Sequence, residues 1–94
     1  MSEGRAYRKK PVVIQAVQWL GRNYEEMDEF LGGQFGYQER FDGSDKADVV
    51  IATMEGTMRG EPGDWIIKGV KGEFYPCKPD IFEATYEPAE RESR

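Results

Sequence analysis

The sequence predicts a small α+β domain, a curved antiparallel sheet of roughly four to six strands with one packed α-helix at about residues 24–32. Two observations predict it: one stretch carries apolar residues at helical spacing, and β-prone runs separated by glycine and proline turns fill most of the rest. At 94 residues the chain is expected to form a single domain, with residues 1–10 as a basic arm and residues 88–94 as a flexible charged tail.

The first predicted strand runs from Val12 to Leu20, where β-branched residues dominate between Pro11 and Gly21. Such a run is typical of a strand that is covered on both faces. Asn23 then offers a helix N-cap, and Glu26 lies three residues later, as in a capping box.

The predicted helix carries an apolar stripe at helical spacing and ends at two consecutive glycines. The stripe consists of Tyr24, Met27, Phe30 and Leu31, and the glycines are Gly32 and Gly33. We interpret the stripe as core. Residues 33–47 are expected to form a short strand and a mobile loop.

Hairpins are predicted for the second half of the chain. Their strands are expected at residues 49–54, 57–59, 65–67 and 73–75, with turns at 55–56, 62–63 and 69–72. Pro62-Gly63 suits a type II turn, because proline sets the first central φ and glycine supplies the positive φ that follows. Pro76 ends a strand or marks an edge, since proline cannot donate to a ladder. One helical turn at 78–82 and a last strand at 84–86 complete the prediction.

Composition excludes several classes of function. A net charge of −5 argues against general binding to duplex nucleic acid. The lone Cys77 cannot form an intramolecular disulfide, so we expect a reducing compartment. No apolar run of about 18 residues and no signal peptide are found, so we expect no membrane association and a cytoplasmic location.

Histidine is absent, which removes the commonest general base and the commonest metal ligand. No catalytic triad, zinc site or phosphate loop can be assembled from the remaining motifs, so neither a metal nor a cofactor is expected. Acids at Asp64, Glu73, Asp80 and Glu83 leave paired-carboxylate hydrolysis formally open, although acids near turns are more often caps. We therefore expect a protein that binds rather than catalyses. Cys77 is either a reactive thiol, if a nearby cation lowers its pKa, or a small buried residue at a strand end.

Residues 61–87 combine cations with aromatic residues, as expected for a site that binds an anionic, base-bearing ligand. The predicted ligand-binding set is Trp65, Lys68, Lys71, Tyr75 and Lys78, assisted by Arg8 and Lys10 of the basic arm. The competing interpretation remains open: Trp65 and Phe74 then anchor the core, and Lys68 and Lys71 solubilise a hairpin tip.

Two segments carry a family resemblance: Tyr7 to Trp19, which reads YRKKPVVIQAVQW, and the PGDWIIKG…FYPCKPDIF pattern within residues 61–87. With them the chain resembles a widespread family of small, mostly uncharacterised phage and prophage proteins. That family is similar to viral sponge proteins of the anti-CBASS type, which oligomerise and sequester the cyclic-nucleotide signals of bacterial antiphage defence.

The resemblance implies a non-enzymatic homo-oligomer that captures an anionic nucleotide-like small molecule in the bacterial cytoplasm. A protein-interaction module without a small-molecule ligand, such as a host-enzyme inhibitor or a minor phage component, is the alternative. An enzyme acting on nucleotides is the third hypothesis.

Overall fold

The described part of the chain has an α+β arrangement of six strands and two helices, with five consecutive strands between the helices. The computed structural model describes residues 3–8, 10–33 and 35–89. In chain order the elements are β1 (Gln15–Gln18), α1 (Tyr24–Leu31), β2 (Phe35–Glu39), β3 (Ala47–Thr53), β4 (Gly56–Gly60), β5 (Trp65–Lys68), β6 (Phe74–Cys77) and α2 (Pro79–Thr85).

The strands form two antiparallel sheets of three strands, which corrects the single sheet that the sequence predicts. We call the sheet with strand order β1-β5-β6 the first sheet, and the sheet with order β2-β3-β4 the second sheet. The division occurs after β4, where the chain turns and pairs β5 with β1 instead of continuing the hairpin series. Two backbone hydrogen bonds hold the turn before β5 against the end of β1. Gly63 N–H donates to the Trp19 carbonyl (2.6 Å), and Trp19 N–H donates to the Asp64 carbonyl (2.8 Å).

The main core lies between the two sheets and α1. Its buried members come from β3, β5, α1 and the end of β1: Trp19, Met27, Leu31, Ala47, Val49, Ile51 and Ile66. Partly buried side chains pack around them, including Phe30 against Phe74 at 5.4 Å between ring centroids. Burying these side chains supplies most of the driving force for folding.

Trp19 connects the two sheets. Its side chain is fully buried, and its indole N–H donates to the backbone carbonyl of Ala47 on β3 (2.7 Å). Tyr37 of β2 stacks on the indole at 5.3 Å, and Tyr24 of α1 meets its edge at 5.5 Å. One side chain therefore contacts β2, β3 and α1 while its backbone is bonded to the turn before β5.

The turn at Pro62-Gly63 agrees with the predicted geometry. Gly63 has a φ of +102°, and Asp64 N–H donates to the Glu61 carbonyl (2.9 Å). Asp64 is only 3% exposed, and its carboxylate accepts a hydrogen bond from the Glu61 N–H (2.9 Å). A side chain other than glycine at position 63 would be strained, because few L-residues adopt this φ.

Helix α1 matches its predicted range to within one residue at the C-terminal end. Gly32 terminates it in the left-handed conformation (φ +63°), and its N–H donates to the Asp28 carbonyl. The predicted capping box is wrong in detail, since the Asn23 side chain makes no cap bond to the helix. It accepts from Leu20 N–H (2.8 Å) and donates to the Gln18 carbonyl (3.0 Å) and to Glu26 (2.8 Å).

Two further strand predictions are corrected. The run from Val12 to Leu20 is a strand only at Gln15–Gln18, because β5 offers four partners, from Lys68 to Trp65. The predicted strand at 84–86 does not form, because α2 continues to Thr85. The Thr85 hydroxyl donates to the Ile81 carbonyl (2.8 Å), as within a helix.

Pro76 lies inside β6 and not at its end, and β6 is an outer strand, as the edge interpretation expects.

Residues 3–8 and Lys10 of the arm are exposed. Lys9 and residues 90–94 of the predicted tail lie outside the described residues.

The two tryptophans provide a test of the connection between the sheets. Trp19→Phe should lower the free energy of unfolding by about 2–4 kcal/mol, because it removes a buried hydrogen bond and leaves a cavity. Trp65 is the matched control: its buried indole N–H has no hydrogen-bond partner in the part of the chain that the structure describes. Trp65→Phe should cost less than about 1 kcal/mol. Urea denaturation measures both, and equal losses would contradict the role of Trp19.

Candidate functional site

The outer face of the first sheet, which points away from the main core, carries a second apolar layer. Side chains alternate between the faces of a strand, so Trp65 and Ile67 of β5 share this face with Tyr75 and Cys77, their partners on β6. Ile67 is fully buried, yet it does not belong to the cluster between the sheets. Something on the outer face therefore covers it.

Helix α2 lies over this outer face. Phe82 stacks on Trp65 with 4.3 Å between ring centroids and 8° between ring planes, and Tyr86 lies 5.1 Å from Phe82. Pro79 at the first helical position and Asp80 in the first turn favour the start of α2. Burial and a side-chain hydrogen bond with Tyr86 raise the pKa of Tyr75 to about 12.

An open groove of about 1090 Å³ runs between α2 and the segment that precedes β1. Its lining residues are Pro11, Val12, Val13, Ile14, Ala16, Trp65, Phe82, Glu83, Tyr86, Glu87, Pro88 and Ala89. We call this surface the outer groove. Its walls are largely aliphatic and aromatic, and its titratable acids are Glu83 and Glu87. Pockets that bind ligands or partner side chains share this character.

Trp65 answers a question that the sequence leaves open. One ring face packs against Phe82, so the residue anchors the outer layer, and it also lines the outer groove. Its indole N–H is buried without a hydrogen-bond partner among the described residues. A buried donor in this state carries a desolvation penalty.

Lys78, one of the predicted ligand-binding cations, is held by acids of the turn before β5. Its Nζ lies 3.2 Å from Glu61 Oε1 and 3.3 Å from Asp64 Oδ2. Hydrogen bonds with Glu61 and then Asp64 raise its pKa. Since Asp64 is buried, Lys78 neutralises a carboxylate that would otherwise be costly.

Lys68 and Lys71 lie at the far end of the β5–β6 hairpin. Lys68 shares the inner face with Phe74, its cross-strand partner, and its Nζ is 5.9 Å from the centre of that ring. Lys71 is exposed in the connecting turn. Neither lysine has a carboxylate at ion-pair distance within the described residues.

The predicted binding set is therefore spread over several surfaces. Trp65 and Tyr75 lie on the outer face, Lys68 on the inner face, and Lys71 at the hairpin turn. Arg8 and Lys10 are exposed, and neither lines the outer groove, although Lys10 adjoins its first residue, Pro11. No single pocket gathers the set, and its role in binding stays a prediction.

Of the residues that line the outer groove, the sequence prediction names only Trp65 as a site residue, and Phe82 and Tyr86 are among those it misses. Their spacing of four residues, together with Pro79 and Asp80, is the signal that predicts one face of a helix. The sequence prediction instead assigns Phe82 to a single helical turn at 78–82 and Tyr86 to a short strand at 84–86.

Two of the acids considered for hydrolysis, Asp64 and Glu73, have local structural roles. Asp64 accepts a backbone N–H within its turn, and Glu73 accepts the Lys71 N–H (3.0 Å). Burial, with Asp64 and Asp80 nearby, raises the pKa of the Cys77 thiol, so this cysteine is a poor nucleophile at neutral pH. Within the described ranges no three potential metal ligands are grouped.

Comparison of the chain with protein-family models, with curated proteins and with solved structures finds no match. Among the described helices, none is long and apolar enough to cross a membrane.

Proposed function

We propose that this chain is a non-catalytic protein-interaction module whose working surface is the outer groove. The observation that carries the proposal is the groove itself: an open, aromatic-floored channel that leaves aliphatic side chains uncovered along one wall. Val13 is 79% exposed there and Val12 is 46% exposed. Contiguous exposed apolar surface of this kind is typical of interaction sites.

The partner proposed for the outer groove is a protein segment with apolar side chains and at least one lysine or arginine. Apolar side chains would fill the space beside Val13 and Phe82. The groove's own acids, Glu83 and Glu87, favour a cation and disfavour a phosphate. The Trp65 ring, which lines the groove and stacks on Phe82, offers an aromatic surface to the same apolar side chains.

The absence of catalysis is part of the proposal and is supported by the roles of the candidate groups. Asp64 and Lys78 are bound to each other, and Glu73 is bound to its own turn. The raised pKa of Cys77 keeps its thiol protonated at neutral pH. Histidine, the commonest general base, is absent from the sequence.

Selection from a peptide library on the immobilised protein tests this proposal. We expect enrichment of segments that combine apolar residues with lysine or arginine. Val13→Asp should weaken binding of the selected peptides by about tenfold or more, because it places a charge among apolar contacts. Glu83→Lys with Glu87→Lys should remove the preference for cationic peptides.

Met54→Asp is the matched control for the groove substitution. Met54 is 99% exposed and lies in the β3–β4 turn, outside the outer groove. Peptides that bind Met54→Asp and Val13→Asp equally well, or a selection dominated by acidic peptides, would show that the groove is not the binding surface.

A second candidate is capture of an anionic nucleotide-like ligand, as the resemblance to phage sponge proteins implies. We propose it for the end of the β5–β6 hairpin, where Lys68 and Lys71 lack ion-pair partners in the described structure. Lysines free of internal acids can neutralise phosphates, and Phe74 adjoins Lys68. A homo-oligomer in the cytoplasm of an infected bacterium is the setting that this candidate requires.

Native mass spectrometry with a panel of linear and cyclic nucleotides tests the second candidate. A retained nucleotide that is released unaltered on denaturation is expected, and Lys68→Ala or Lys71→Ala should each weaken capture by about tenfold. Lys46→Ala, a change of another exposed cation just before β3, should leave it unchanged. A protein that retains no member of the panel, or alanine variants that still capture it fully, would refute this candidate.

A further inference from the structure

Strand β1 has an open edge. It is an outer strand of the first sheet, and β5 pairs with one of its sides. Within the described ranges no strand pairs with the other side. The opposite outer strand, β6, contains Pro76, which lacks a backbone donor and discourages further pairing.

The backbone bonds near the end of β1 identify which groups face the open side. Trp19 directs both its N–H and its carbonyl to the turn before β5. Because successive residues of an antiparallel strand point their backbone groups to opposite sides, Gln18 and Ala16 face the open edge. The Asn23 side chain agrees with this assignment, since it accepts from Leu20 N–H and donates to the Gln18 carbonyl.

Asn23 therefore closes the downstream end of the edge, and the upstream end stays open. Ala16 N–H and its carbonyl lie there, followed upstream by Val12, Val13 and Ile14. Strand β5 ends at Lys68, which pairs with Gln15, so it does not extend beside these three β-branched residues. The sequence favours a strand from Val12 onward, and the described residues of the chain provide no partner strand for that part.

An exposed apolar edge of this kind is a template for pairing with another strand. A second copy of the chain fits it, because antiparallel pairing of one segment with itself about a two-fold axis is self-complementary. The distribution of charge also favours a second copy of the chain as the partner of this edge. In antiparallel pairing the basic arm of one copy runs beside the residues that follow β1 in the other, where Leu20 is exposed and Glu25 and Glu26 open α1.

We propose that two copies of this chain pair antiparallel through the open edge of β1 and residues 12–14, forming one continuous six-stranded sheet from two first sheets. Strand β1 then extends upstream in each copy, as its sequence favours. Arg5, Arg8 and Lys10 of each arm lie near the acidic first turn of the partner copy's α1. The pairing borders the outer groove and does not require that the groove bind anything.

Ala16→Pro tests the interface. Proline at this position removes an N–H that faces the open edge and leaves the bonds to β5 in place. Analytical ultracentrifugation should find a wild-type dimer. Ala16→Pro should raise its dissociation constant by about tenfold or more, because two symmetry-related hydrogen bonds are lost. Ala16→Ser keeps the N–H and should dimerise like the wild type.

Hydrogen exchange on the wild-type protein gives a second readout that does not depend on a variant folding. The amides of Ile14 and Ala16 should become protected as protein concentration rises, while those of the β3–β4 turn at Met54 and Glu55 should not change.

A protein that sediments as a monomer at all concentrations overturns the inference, and so does a dimer in which Ala16→Pro has no effect. The outer groove is tested separately by Glu83→Lys with Glu87→Lys, because both residues line the groove and lie outside the paired segment. A monomer that still binds the selected peptides would therefore refute the dimer alone and leave the proposed function intact.

Discussion

The hydrogen bond from the Trp19 indole to the Ala47 carbonyl is the interaction on which the arrangement of the two sheets depends. Trp19 belongs to the end of the first sheet through its backbone and to the core of the second through its side chain. This double attachment fixes how the first sheet is oriented, with Ile66 turned toward the main core and Trp65 and Ile67 turned outward. The outward face becomes available for α2 and for the outer groove as a consequence.

The two tryptophans differ in how far they are buried and in whether the indole N–H is hydrogen-bonded. Trp19 is fully buried and its indole is bonded, so its surroundings are complete. Trp65 is partly exposed, packs on Phe82, and keeps a buried N–H without a partner in the described residues. A buried donor left unsatisfied reduces stability. Trp65 also lines the outer groove, and for this reason we place function on the outer face.

Local features of the sequence predicted local features of the structure. Helix α1 and the Pro62-Gly63 turn depend on residues close in the chain, and both were predicted. The division into two sheets depends on pairing between β1 and β5, which lie about fifty residues apart, and no local pattern reports it. The predicted binding set failed to converge for a simpler reason: Trp65 and Lys68 are three residues apart on one strand, so they face opposite sides. The ion pair of Lys78 with Asp64 required the tertiary structure.

The central claim is that the outer groove binds a partner through Trp65, and the two indole N–H signals in a ¹H–¹⁵N correlation spectrum test it directly. On titration with a selected cationic peptide, the Trp65 signal should shift because the peptide contacts the indole ring that lines the groove. The Trp19 signal should stay in place, because its N–H is already bonded to Ala47. An unchanged Trp65 signal at saturating peptide, or equal shifts of both signals, would contradict the account.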